Sequence, residues 1–306
     1  MANYTGTGTQ DDPWIVAEWD SFRELCGRDR PDGFSQGLVY IKWAETDDKL
    51  IDFNTINPDG YTSLNILAKV DFNGWTFRNY RVIDNDNPTF RLLSNNNSGW
   101  NGEIKNGNFE NLILNSPNFV AMSGQNCFCR NISATGNISR TNGDITIVVG
   151  TQSYVKCPTV YSSSFVFDIQ PTTYYASCSV FATTQDCYFK INFQGTGNVG
   201  CTSHGFEDTN TLYKIKAPNS NGVTLAFYGV GSSYYYPSSS RNCVYIIETK
   251  NIIQDTHRRH ATFNNSIYNS DLVESCFVTD GLIPCTTEQM KDVEYLQSIG
   301  FPIGDV

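Results

Sequence analysis

Side chains able to do chemistry are few in this chain, and most fall in polar loops. Tyr234, Tyr235 and Tyr236 form a run between Gly229 and Ser240, and Trp100 follows a stretch of Asn, Ser and Gly. Aromatic rings flanked by amides suit sugar binding, because C–H groups pack on the ring face while amides take the hydroxyls. The same rings would serve equally to pack on a flank of the fold or against a neighbouring subunit. Carboxylates come next, as Glu207-Asp208 and Asp84/Asp86. Glycoside hydrolysis needs two carboxyls facing each other at about 5–9.5 Å. Asp84-Asn85-Asp86-Asn87 also offers oxygens to calcium, but the remaining ligands of such a loop are missing. Both pairs read better as solvated turns. The imidazoles are His204, His257 and His260. Asp255 is near His257, yet no Gly-x-Ser-x-Gly elbow accompanies them, and surface placement is the better reading. No catalytic residue is assigned.

Metal and cofactor sites are not expected either. The ten cysteines include no Cys-x-x-Cys pair, so their spacing argues against a structural zinc. With no secretion signal at the start, the thiols read as reduced, small apolar fillers of an interior. Gly6-Thr7-Gly8 lacks a preceding strand, a third glycine and a Gly-Lys-Ser/Thr, which removes the nucleotide-loop reading.

The elements that would position these groups are announced by a recurring unit. Phe77-Arg78-Asn79-Tyr80-Arg81-Val82 returns as Phe109-Glu110-Asn111-Leu112-Ile113-Leu114 and as Cys129-Arg130-Asn131-Ile132-Ser133-Ala134. Phe263-Asn264-Asn265 keeps its first and third positions. The Asn residues are 32, 20 and 134 positions apart, so loops of variable length separate the copies. A short unit recurring at tens of residues is the signature of a solenoid. Phe and Asn share one parity, as in a short strand.

Further strands are expected at 38–43, 50–53, 64–72 (alternating Leu64, Ile66, Ala68, Val70 and Phe72), 145–149, 164–168, 187–193, 212–216 and 243–248. Asn73-Gly74, Thr135-Gly136-Asn137 and Gly195-Thr196-Gly197-Asn198 read as turns or connectors. Residues 140–186 show no clean copy of the unit and leave room for an inserted loop or an outward hairpin. Two short helices stand at the ends. The first has Asp20 or Ser21 as cap, Ser21 and Glu24 at capping-box spacing, Trp19, Phe22 and Cys26 on one face, and Gly27 as stop. The second is capped by Thr287, carries Met290, Val293 and Leu296, and stops at Gly300-Phe301-Pro302. Each would close an open end of the coil.

Composition agrees. Hydrophobic residues reach 40% and charged residues only 17%, which supplies a core and excludes a disordered chain. Tyr, Phe, Asn, Gly and Ser suit strands and turns. The net charge of −10 argues against nucleic acid as a partner. No apolar run has the roughly 18 residues a membrane helix needs, so no membrane insertion is expected. The expected organisation is one elongated domain over 1–306, with 1–30 as lead-in and cap and 286–306 as the second cap.

The [Phe/Cys]-x-Asn-[apolar] unit, the opening Gly-Thr-Gly-Thr-Gln-Asp-Asp-Pro-Trp-Ile-Val with Trp19-Asp20-Ser21-Phe22, and the closing Thr287-Glu288-Gln289-Met290-Lys291-Asp292 together resemble the right-handed parallel β-helix proteins of phage virions, a pectate-lyase-like solenoid. The resemblance implies an all-β fold of stacked coils lined by Asn, Cys and aromatic ladders. It implies a virion structural protein, a fibre, spike or capsid-decorating appendage made in the host cytoplasm. Its partners would be other virion proteins and host-surface glycan. Identical flanks facing one another would close a homotrimer. The alternative on the same scaffold is a polysaccharide lyase or hydrolase.

Overall fold

The computed structural model describes the chain apart from residues 1–2, 27–38, 62, 83–88, 92–101, 115–118, 121–127, 140–144, 150–158, 171–177, 182, 198, 204–206, 228–238, 255–261, 279–280 and 303–306. The fold is a parallel β-helix. Most coils return to lie beside the previous one after about 21 to 34 residues, and the last pairing, Ser266 with Leu282, after about 16, as in solenoid repeats.

One inward column shows the register. Ile41, Val70, Ile104, Cys129, Val160, Thr184, Asp208, Ser240 and Phe263 pair in succession along the first sheet. On the second sheet the inward column is Phe77, Phe109, Ala134, Phe165, Phe189, Tyr213, Tyr245 and Tyr268. A third face stacks Cys178–Phe181, Val199–Ser203, Val223–Phe227, the end of Val244–Gln254, and Val273–Cys276. Parallel strands buried on the inner side stack like on like, so rings meet rings. Phe165, Phe189, Tyr213 and Tyr245 stand 5.2–5.4 Å apart with planes within 12°. Such stacked pairs add about 0.5–1.5 kcal/mol each beyond the area they bury.

The Asn of the recurring unit has a different role from the one its parity suggested. Asn79, Asn111, Asn131 and Asn265 all have left-handed backbones, with φ between 48° and 64°. Asn79 and Asn265 are corners between two strands, while Asn111 and Asn131 are the same left-handed bend inside the continuous strands Glu103–Leu114 and Phe128–Ile138, so alternation resets across each. Phe77, Tyr80 and Val82 are all buried although their parities differ. The four also belong to two separate columns. Asn111 donates to Asn79, whereas Asn131 donates to Asn106. Asn106 is the member of that column the recurring unit did not reveal.

Residues 64–72 form two strands, Ser63–Asn65 and Lys69–Asp71, with a corner at 66–68. Leu64, Ile66, Ala68, Val70 and Phe72 are nonetheless all buried, and Leu67 joins them. Thr135-Gly136-Asn137 lies inside the strand Phe128–Ile138 and connects nothing. Within 140–186 the described residues form regular rungs, Thr159–Tyr161, Ser164–Ile169 and Thr183–Gln185. The unit is hidden there because Ser162 takes the corner that Asn takes elsewhere.

The lead-in is a hairpin, with Tyr4–Thr5 antiparallel to Trp14–Val16. Gly6 and Gly8 sit at φ 90° and 76°, and a Cβ on Gly8 would meet the Trp14 ring at 2.7 Å, so both must be glycine. The first helix, Trp19–Cys26, begins before the expected caps. Ser21 is buried and accepts a hydrogen bond from the Asn3 amide, tying the hairpin to the helix. Trp19, Phe22 and Cys26 do share the buried face. At the other end a capping pair forms between Thr286 and Gln289, while Thr287 bonds Asn269. The terminal helix is Val293–Ser298, capped by Asp292, and Gly300 ends it at φ 76°. Cys26, Cys129, Cys187, Cys243 and Cys285 are buried thiols, as their filler role requires. Among the described residues no helix is long and apolar enough to cross a membrane.

Candidate functional site

The corner between the first and second sheets is built from one residue per coil. Asn106, Asn131, Ser162, Asp186, Asn210, Asn242 and Asn265 occupy it, all with φ between 45° and 57°. The left-handed region costs most L-residues about 1–2 kcal/mol, and Asn and Asp pay least because their short polar groups bond locally. The residue after each corner points inward and is small at most coils: Gly107, Ser163, Cys187, Thr211, Cys243, Ser266. The residue three after it is the inward column of the second sheet.

Stacked corner amides bond in one direction. Asn106 Nδ2 donates to Asp71 Oδ1 at 3.0 Å, and Asn131 Nδ2 to Asn106 Oδ1 at 3.0 Å. Asn210 Nδ2 donates to Asp186 Oδ1 at 2.9 Å, and Asn242 Nδ2 to Asn210 Oδ1 at 3.1 Å. The second column repeats the design, with Asn79 donating to Asp52 and Asn111 to Asn79 at 2.9 and 2.6 Å. Each run is Asp–Asn–Asn. An aspartate fits the first place because it accepts and need not donate. The bond from Asn79 is the main reason the Asp52 carboxyl titrates below its usual range.

Ser162 stands between two runs. Its side chain is shorter than an amide, and among the described residues its hydroxyl joins neither run. An open trough of about 660 Å³ lies there, where Ile132 and Cys187 line it beside polar groups. Asn131, Ser162, Asp186 and Asn210 line its corner side; Asn108, Ser133, Ser164 and Tyr188 line its floor. These last four are one outward column in register. The column continues through Leu212, Val244 and Ile267, where it turns apolar. There the chain returns over it: Phe301 and Pro302 face Leu212, Val244 and Asn242 across a cleft of about 350 Å³.

Among the described residues the trough carries one carboxylate, Asp186. Glu207-Asp208 does not form a facing pair: Glu207 is exposed, while Asp208 points into the coil and is 1% exposed. Adjacent residues of a strand face opposite sides, so the pair can neither act together nor be a solvated turn. Inside, Asp208 accepts from Thr184 Oγ1 at 2.7 Å, and Thr184 meets Thr211 Oγ1 at 2.9 Å. Burial pushes the Asp208 carboxyl up to about 7, against the lowering effect of Thr184 and of the neighbouring Tyr213 hydroxyl. Burial likewise raises the Cys187 thiol to about 11, which makes it a poor nucleophile. A second groove of about 400 Å³ lies near the start, lined by Tyr40, Lys69, Asp71 and Lys105. Its charges answer one another: Lys105 faces Asp71 at 3.6 Å and Lys69 lies over the Tyr40 ring.

Trp100, Tyr234, Tyr235 and Tyr236 lie outside the described residues, as do Asp84, Asp86, His204, Asp255, His257 and His260. Ser162 and Asp186 escape the recurring unit because its third position is Asn. The signal that finds them is a polar corner residue three before an inward ring, as in Ser162-Ser163-Ser164-Phe165 and Asp186-Cys187-Tyr188-Phe189. Among the described residues no His, Cys, Asp and Glu cluster could hold a metal ion. No protein-family model, curated protein or solved structure matches the chain.

Proposed function

We propose that the chain is a structural protein of a phage particle, a fibre, spike or capsid-decorating appendage, and that its trough at Ser162 holds host-surface glycan. The observation that carries the glycan reading is the trough lining: hydroxyls, amides, one phenol ring and one carboxylate, beside Ile132 and Cys187, on a stack of paired strands. Such groups offer hydrogen bonds to sugar hydroxyls and a ring face to sugar C–H groups. A single carboxylate favours binding over the two-carboxylate hydrolysis. The particle assignment rests on the resemblance carried by the opening, closing and recurring segments.

Mass spectrometry of purified particles is expected to detect the protein at stoichiometric level. Finding it only as free protein in infected cells would overturn the particle assignment. Calorimetry with bacterial surface oligosaccharides is expected to show binding. Incubation with capsule or pectin-like polymers is expected to release no new reducing or unsaturated ends; their appearance would establish the lyase or hydrolase instead.

A further inference from the structure

We infer that the break in the corner column at Ser162 is the trough's recognition point, and that it takes a hydrogen-bond donor, the hydroxyls or ammonium of a neutral or amino sugar, and rejects a carboxylated one. This rests on the glycan reading above.

The argument starts from the direction of the amide bonds. Among the described residues the stacked corner amides donate toward the preceding coil. The carbonyl of the last Asn in a run is therefore left facing the next coil. For the first run that residue is Asn131, and the next coil presents Ser162. The following coil presents Asp186, whose Oδ1 is taken by Asn210 on its far side. A carboxylate has a second oxygen and donates nothing. The break is thus bounded by the Asn131 carbonyl on one side and the Asp186 carboxylate on the other. Ser162 adds one hydroxyl between them. Two acceptors flanking a gap favour a ligand rich in donors, and a charged ammonium most, because charge-assisted bonds are roughly twice as strong. A uronate or sialic carboxylate would meet Asp186 and a chain of net charge −10.

The other end of the second run makes the contrast. Asn242 ends that run, and Asn265 holds the next corner. That place is faced by Phe301 and Pro302, and the floor beneath is Leu212 and Val244. Of these two places, the Ser162 break is the one whose floor is polar, Ser164 and Tyr188.

Ser162→Asn tests the inference with little risk to folding. Asn is the residue that six analogous corners share or approximate, and it suits a φ of 45° better than Ser. Its amide would reach the Asn131 carbonyl and fill the gap. Wild-type protein, Ser162→Asn and Asp186→Asn would be titrated with dextran, chitosan and oligogalacturonate oligomers. The wild type is expected to bind chitosan oligomers best and oligogalacturonate least. Ser162→Asn is expected to lose at least about tenfold in affinity while its melting temperature holds or rises. Asp186→Asn is expected to narrow the preference for chitosan over dextran. Unchanged affinity in Ser162→Asn, or tightest binding to oligogalacturonate, would sink the inference while leaving the glycan reading in place. No binding of any of these or of bacterial surface oligosaccharides by the wild type would sink both.

Discussion

The same coil is filled in two ways along its length. Near the start the interior is dry and aromatic. Trp19 is ringed by Phe22, Trp43, Phe53, Tyr61, Phe77 and Tyr80 at centroid distances of 4.7–6.4 Å. In the coils between Thr184 and Tyr245 the interior carries hydroxyls and a carboxylic acid. Thr184, Asp208, Thr211, Tyr213, Ser240 and Tyr245 are all buried, and Ser240 meets the Tyr245 hydroxyl at 2.9 Å. The dry end gains from area and ring contacts. The polar middle gains less from area and must satisfy its groups with one another. Neither succeeds completely: among the described residues the Trp19 and Trp43 indole N–H groups, Asp208 Oδ2 and the Tyr213 hydroxyl find no partner of good geometry. The difference teaches that stacking identical positions does not demand apolar ones. It demands groups of similar shape whose polar atoms meet along the stack.

The largest break in this comparison is expected from Trp43→Ala. Trp43 is fully buried and touches Trp19, Phe22, Trp75 and Phe77. Losing it should cost about 3–5 kcal/mol in urea unfolding. A loss below about 1 kcal/mol would show that the first coils do not depend on their ring cluster.

The second effect is pH-dependent and belongs to the polar middle. The Asp208 carboxyl is raised from 3.8 to about 7 in the folded chain, chiefly by burial. The folded state therefore holds a proton that the unfolded state releases above pH 4. The contribution is full below about pH 4 and is lost as pH rises to about 7, at up to roughly 1.4 kcal/mol per pH unit. Asp208→Asn should flatten that slope in unfolding curves and stabilise the protein at pH 8. An identical slope in the variant would show that the interior carboxyl is not the source.

A smaller loss is expected at the corner, which is common to both regions. Asn210→Ala removes two amide bonds and places Ala at φ 49°. Roughly 1–3 kcal/mol should be lost. Asn210→Gly should recover part of it, since glycine accepts the backbone but not the bonds. Equal losses in the two variants would leave the backbone strain without a role.

The smallest effect separates shape from polarity. Tyr213→Phe keeps the ring in its stack between Phe189 and Tyr245. Because its hydroxyl has no well-formed bond among the described residues, the change should stay within about 1 kcal/mol at pH 5. A larger loss would mean that the hydroxyl supports Asp208 more firmly than the geometry suggests.

Much of the fold was legible because its physical causes are local. Buried positions repeat with small residues and rings in fixed order, as in Asn242-Cys243-Val244-Tyr245, and the strands 188–193, 212–216 and 244–248 follow from that order. The first helix was legible because its apolar face has helical spacing; at the other end Met290 lies in a separate 3-10 turn, Val293 is exposed, and the helix begins only at Val293 under an Asp292 cap. The trough was not legible. Its floor is Ser and Tyr in outward positions, which look like any solvated strand face until the coils are stacked. Asp208 was misread for a related reason. Beside Glu207 it looks like one of two surface acids, and strand parity alone does not say which of the two faces inward.

The amino-acid order by itself determined that the chain winds, because left-handed corners need Asn, Asp or Ser and inward places need thiols, small groups or rings. Only the tertiary structure decided which coil meets which. Loops of unequal length separate the corners, so the distance along the chain does not reveal that Asn111 stacks on Asn79 while Asn131 stacks on Asn106. Register is set by how the strands of successive coils pair, and that pairing alone puts Ser162 between two finished runs and opens the trough.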